Sequence, residues 1–132
     1  MGAGCYSYVG RQGGEQEIQL EDGYGKGGAI HEILHAIGLL HEQNRMDRNF
    51  YININFSNIQ QGRENNFLAV CFSHSLGVYD YASIMHYSSY DFAKDFKRPV
   101  ITTIDGRILQ GNRIGMTECD VESVKNLSEI IY

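Results

Sequence analysis

The chain has 132 residues, 42% hydrophobic, 20% charged and 11% aromatic, which suits one compact domain with its own core and leaves no room for two. Eleven basic residues against sixteen acidic ones give a net charge of -5, which argues against a nucleic-acid-binding face and against a polybasic membrane patch. The longest apolar run, Phe67 to Phe72, falls far short of the roughly 18 residues that span a bilayer as a helix.

Met1-Gly2-Ala3-Gly4-Cys5-Tyr6 has no basic stretch followed by an apolar one, so no secretory leader is expected within this chain. Tyr6 and Tyr8 then alternate with small residues, and Ile18 and Leu20 alternate with Glu17, Gln19 and Glu21, predicting a pair of strands separated by a turn from Gly10 to Gly14. The stretch Gly23 to Gly28 lacks the Lys-Ser/Thr ending of a phosphate-cradling loop and reads as a plain loop. From Ala29 the period becomes helical, with Ile30, Ile33, Leu34 and Ile37 forming the expected buried stripe. Ile52, Ile54 and Phe56 alternate with Tyr51, Asn53 and Asn55 as a short strand, while Asn58 to Gly77 shows no clean period. Thr117 and Asp120 form a capping box, and Val121, Val124 and Leu127 give an apolar stripe behind it, predicting a C-terminal helix from about Glu118.

Other features carry less. Cys5, Cys71 and Cys119 cannot all pair internally, and none sits in a Cys-x-x-Cys arrangement. Asn55-Phe56-Ser57 and Asn126-Leu127-Ser128 match the glycosylation triplet, which chance also supplies. His74 reads as a solvated loop residue.

The chemistry lies in His31-Glu32-Ile33-Leu34-His35. On a helix the two histidines are about 40° apart and about 6 Å along the axis, so both rings can reach one ion. Glu32 is turned away from that face, which suits it less to ligation than to taking a proton from a water at the metal. A continued helix would carry His41 about 15 Å beyond His31, out of reach of a shared ion with Zn–N distances of about 2.0–2.1 Å. The helix must therefore stop between His35 and His41, and Gly38 is the residue able to take the left-handed conformation that ends it. Neutral imidazoles from His31, His35 and His41 would then leave an open position on one Zn2+, as in a catalytic site. A non-haem iron centre usually wants two histidines and a carboxylate, and fits less well.

His31-Glu32-x-x-His35-x-x-Gly38-x-x-His41, continuing Glu42-Gln43-Asn44-Arg45-Met46-Asp47-Arg48 and followed by Ser83-Ile84-Met85-His86-Tyr87, resembles an astacin-type zinc endopeptidase of the metzincin clan. The run Cys5 to Arg11 is similar to the family's edge strand. The resemblance implies that Met85 supports the metal from a Met-turn beneath it, that Tyr87 approaches zinc and stabilises the oxyanion, and that His86 is not a ligand. It also implies that Glu42 meets an amino terminus buried on maturation, that substrate is a protein or peptide, and that the protein is secreted or extracellular. Family members carry strands and a helix before the Cys5 strand, so residues 1–132 are expected to be a single peptidase domain missing those elements. The fold expected is α+β: a metzincin-like zinc peptidase fragment with a small twisted sheet, an active-site helix, a C-terminal helix and a largely irregular lower half. Two functions are in view. One is hydrolysis of peptide bonds by Glu32 as general base with Tyr87 as oxyanion donor; the other is a zinc-binding fragment or binding module without turnover. No nucleic-acid partner and no membrane span are expected.

Overall fold

The structure, a computed structural model, describes residues 4–71 and 77–131. His74 lies outside the described residues. Strands β1 (Tyr6–Ser7) and β2 (Ile18–Gln19) pair antiparallel, Tyr6 opposite Gln19 and Ser7 opposite Ile18. This small sheet packs against helix α1 (Gly25–Ile37), and the N–H of Gly10 just beyond β1 donates to the carbonyl of His35 at 2.8 Å. The alternation in the sequence gives both strands, shortened to their centres.

Helix α1 starts earlier than its apolar period suggests. The stretch Gly23 to Gly28, expected as a loop, contributes Gly25 to Gly28 to the helix. Packing overrides the low helix propensity of glycine here, because a Cβ on Gly27 would land 1.7 Å from the carbonyl oxygen of Arg113. Only Gly fits where the two backbones meet. The expected stripe is also corrected: Leu34 is buried, but Ile33 and Ile37 are 50% and 41% exposed, and the buried face carries His31, Glu32 and His35. The helix turns its polar chemistry inward because the chain around Ile84 closes over that side.

Gly38 ends α1 at φ 119°. Its N–H bonds to His35 O at 2.9 Å and the N–H of Leu39 to Leu34 O at 2.9 Å, a Schellman ending whose Leu34 and Leu39 side chains share one core cluster. That cluster comprises Leu34, Leu39, Ile84, Met85 and Leu127, with Ile30 and Val124 packed at its margin.

Below it the described chain is mostly turns and single 3-10 turns, in keeping with the largely irregular lower half expected. The second sheet, β3 (Ile52–Ile54) against β4 (Ile101–Thr103), is antiparallel with Ile52 opposite Thr103 and Ile54 opposite Ile101. Phe56, expected to continue β3, instead opens a 3-10 turn. Ile52, Ile59, Phe67, Tyr79, Ala93, Val100, Ile101 and Leu109 form the lower core. Buried polar side chains tie the loops around it. Asn58, fully buried, donates to the carbonyls of Asp95 and Arg98 and accepts the N–H of Asp95, and Asn44 donates to the carbonyls of Asn66 and Leu68. Backbone groups that lack a ladder partner are satisfied this way.

Helix α2 (Glu118–Ile131) closes the chain. Its capping box is reciprocal: Asp120 N–H donates to Thr117 Oγ1 at 3.1 Å and Thr117 N–H to Asp120 Oδ2 at 2.9 Å. Leu127 is buried and Val124 half-buried, whereas Val121 is exposed, so the apolar stripe is narrower than its spacing suggests. Among the described residues, two helices and two small antiparallel sheets make the α+β arrangement expected of a metzincin-like fragment.

Candidate metal centre

Because α1 stops at Gly38, the chain doubles back and brings His41 to the histidines of the helix. The Nε2 atom of His41 lies 3.2 Å from Nε2 of His31 and 3.2 Å from Nε2 of His35. His31 Nδ1 is 2.8 Å from the carbonyl of Ile84, and His35 Nδ1 is 2.8 Å from that of Leu39. A carbonyl only accepts, so each Nδ1 carries the ring proton and each Nε2 presents a lone pair. A proton on His41 Nε2 can serve one of those lone pairs and leaves the other unmet. A cation satisfies all three at once, and tetrahedral Zn–N bonds of about 2.0–2.1 Å put neighbouring nitrogens about 3.3 Å apart. The residues fit the ion.

Burial keeps these rings neutral. It lowers the pKa of His31 to about 4 and that of His35 below its ordinary value, and it pushes His41 well below, with His35 and His31 adding to the effect. Neutral imidazole is the form that ligates.

Glu32 and Tyr87 border the same cleft of about 400 Å³, as do Tyr6 and Ser7 of β1. Burial raises the Glu32 carboxyl, and the nearby Arg113 guanidinium opposes that rise. The Tyr87 ring sits 4.6 Å from that of His41, centroid to centroid, and burial pushes its phenol up to about 12, with Asp91 adding to the effect. His86 points elsewhere: its Nδ1 donates to the carbonyl of Tyr87 and its Nε2 accepts from the Tyr79 hydroxyl at 2.8 Å. Met85 is 1% exposed within the upper core. Glu42 accepts from Arg45 Nη1 at 2.8 Å and from the N–H of Asp80 at 2.9 Å. The structure thus brings together the residues singled out for chemistry and leaves His86 apart.

Three contributors are not legible as such in the sequence. Arg113 donates to the Ile84 carbonyl at 3.2 Å, the same oxygen that meets His31, from a loop without periodic signal. Gln43, fully buried, accepts the N–H of Tyr87 at 3.1 Å and so ties the segment after His41 to the tyrosine. Asp120 reaches the turn before Met85, although its sequence context speaks only of a helix cap.

A family model described as Astacin, a peptidase family, matches residues 1–129. The chain belongs to the astacin family. Among curated astacins, zinc metalloproteinase nas-13 of Caenorhabditis elegans is 43% identical over 128 residues, covering 94% of this chain and 28% of that one. Blastula protease 10 of Paracentrotus lividus is 46% identical over 138 residues, covering 99% of this chain and 22% of that one. Among solved structures, high choriolytic enzyme 1, a hatching enzyme zinc-protease from the medaka Oryzias latipes, superposes with a TM-score of 0.87 at 37% identity, covering 98% of this chain and 64% of that one. The chain spans between 18% and 41% of the length of such curated relatives. Astacins are zinc peptidases, and the clustered histidines supply the donor set such an ion takes. Among the described residues no helix is long and apolar enough to cross a membrane.

Proposed function

We propose that this chain carries the catalytic centre of a zinc-dependent endopeptidase, with residues 1–132 forming a single peptidase domain. His31, His35 and His41 would hold the ion, Glu32 would act as general base and Tyr87 as oxyanion donor. The observation that carries this reading is the convergence of the His31, His35 and His41 nitrogens in one cleft that Glu32 and Tyr87 also line. When bound, zinc supplies a Lewis acid that polarises the scissile carbonyl and lowers the pKa of water toward about 7.

The rest is the work of side chains. Glu32, made more basic by burial, takes the proton of the attacking water and passes it to the leaving amine. Tyr87 keeps its proton well above neutral pH and donates it as a hydrogen bond to the oxygen that gains charge in the tetrahedral transition state. Gln43 holds the Tyr87 backbone while it does so. Substrate would lie extended beside β1, whose Tyr6 and Ser7 face the cleft, by edge pairing. The family resemblance supports an extracellular place of action.

The test uses zinc-loaded chain and a fluorogenic peptide. Glu32→Gln is expected to keep zinc and lose about 10²–10⁴-fold in turnover; Tyr87→Phe is expected to keep zinc and lose about 10²-fold. Unchanged turnover in either variant contradicts that residue's assignment.

The exposed Ile33 and Ile37 on α1 favour a second reading: a zinc-binding module without turnover. It requires one bound zinc and no cleavage by the wild-type chain in the same assay.

A further inference from the structure

We infer that Asp120 is a positioning residue for the histidine cluster, acting through the Ser83–Met85 turn; this rests on the reading of that cluster as a zinc site. Asp120 is 4% exposed, and no basic side chain among the described residues forms an ion pair with it. Its carboxylate is satisfied by donors instead. The Ser83 hydroxyl donates to Oδ1, while the N–H groups of Ile84 and Thr117 donate to Oδ2 at 3.1 and 2.9 Å. Capping α2 explains only the Thr117 bond, and a neutral Asn or Gln would serve it. The other two bonds reach away from the helix into the turn.

That turn grips two of the histidines. The Ile84 carbonyl meets His31 Nδ1 at 2.8 Å and so fixes both the ring's plane and its tautomer. The Met85 carbonyl accepts the N–H of Glu42 at 3.0 Å, which anchors the backbone one residue after His41. Ser83 Oγ closes the turn by accepting the N–H of Met85 at 3.0 Å. A single buried carboxylate on α2 thereby sets the height of the turn on which His31 and His41 both depend. Asp120 does not line the cleft, so its part is positioning and not contact with substrate.

Zinc affinity by chelator competition, the visible spectrum of the cobalt-substituted chain, and His31 ring nitrogen shifts in the metal-free chain read this role without relying on activity. Asp120→Asn and Ser83→Ala are each expected to weaken zinc about 10–100-fold, alter the cobalt spectrum and mix the His31 tautomers. The double variant should lose little more than the larger single one, because both break one link. Thr117→Ala removes the hydroxyl half of the cap together with its bond to Asp80 Oδ2 at 2.6 Å, but leaves the Asp120 bonds to Ser83 and Ile84, and is expected to lower Tm while leaving zinc affinity within about twofold. Should Asp120→Asn not fold, Ser83→Ala, which lies outside α2, carries the test. Wild-type zinc affinity and spectrum in Ser83→Ala and in a folded Asp120→Asn overturn the proposal, as does an equal loss of zinc in Thr117→Ala. A His41→Ala arm separates the two readings: zinc retained there at full affinity refutes the site itself, and with it this role for Asp120.

Discussion

His86 shows how a single buried ring makes the fold sensitive to acid. It is 1% exposed, its Nδ1 proton goes to the Tyr87 carbonyl, and its Nε2 lone pair accepts from Tyr79. Burial lowers its pKa, and burial likewise pushes the Tyr79 phenol far above its ordinary value, so Tyr79 remains the donor. Protonating His86 sets a donor against that donor. The folded-state pKa lies below the unfolded value of about 6.5, so between them the unfolded chain binds more protons and stability rises with pH. The contribution is complete above the unfolded value of about 6.5 and is lost as pH falls below it toward the lower folded-state pKa. In urea titrations of the chain and of His86→Asn, the stability gap is expected to be constant above about pH 7 and to shrink toward about pH 5, because only the wild type loses the contribution. A gap independent of pH would show that His86 ionises at no cost.

Element boundaries are legible where chemistry demands them. The need for His41 to meet His31 and His35 forces a stop at Gly38, and the structure ends α1 there with the left-handed residue the spacing requires. Thr117 and Asp120 announce α2 in the same way. The start of α1 is not legible, because Gly27 is helical for the sake of its contact with Arg113, a residue remote in sequence. The buried side of α1 departs from its spacing for a related reason: spacing weighs Ile33 and Ile37 by hydrophobicity, while the fold buries His31 and His35 for the sake of bonds made by Ile84 and Leu39. Gly38→Ala tests the turn that ends α1. The added Cβ would sit 3.1 Å from Leu127 Cδ2 at a φ of 119°, so a loss of about 1–3 kcal/mol in urea denaturation is expected. Zinc affinity should fall with it, since His41 is displaced; an unchanged affinity would show that the Gly38 turn does not set the third histidine.

At the scale of the whole molecule, a small upper assembly of sheet and helix bears the histidines, and an irregular lower half supports them. Outside β3 and β4 that half shows no clean period because side chains in place of ladders hold its loops: Asn58, Asn44 and Arg48 are buried and bond to loop carbonyls. Neither the β3–β4 pairing nor the links from Gln43 to Tyr87 and from Asp120 to Ile84 can be read from spacing, because each joins segments distant along the chain. The two halves meet at the Ser83–Tyr87 segment, which touches the upper core through Met85 and the lower through Tyr87. Beside this meeting point, His31, His35 and His41 would hold one zinc ion through imidazole nitrogens without a thiolate. Zinc-edge X-ray absorption on the loaded chain reads the ligand atoms and their distances. One zinc per chain is expected, with three imidazole nitrogens at about 2.0–2.1 Å and no sulfur. A sulfur shell at about 2.3 Å, drawn from a thiol such as Cys5 that borders the same cleft, or a zinc that His35→Ala leaves fully bound, would contradict it.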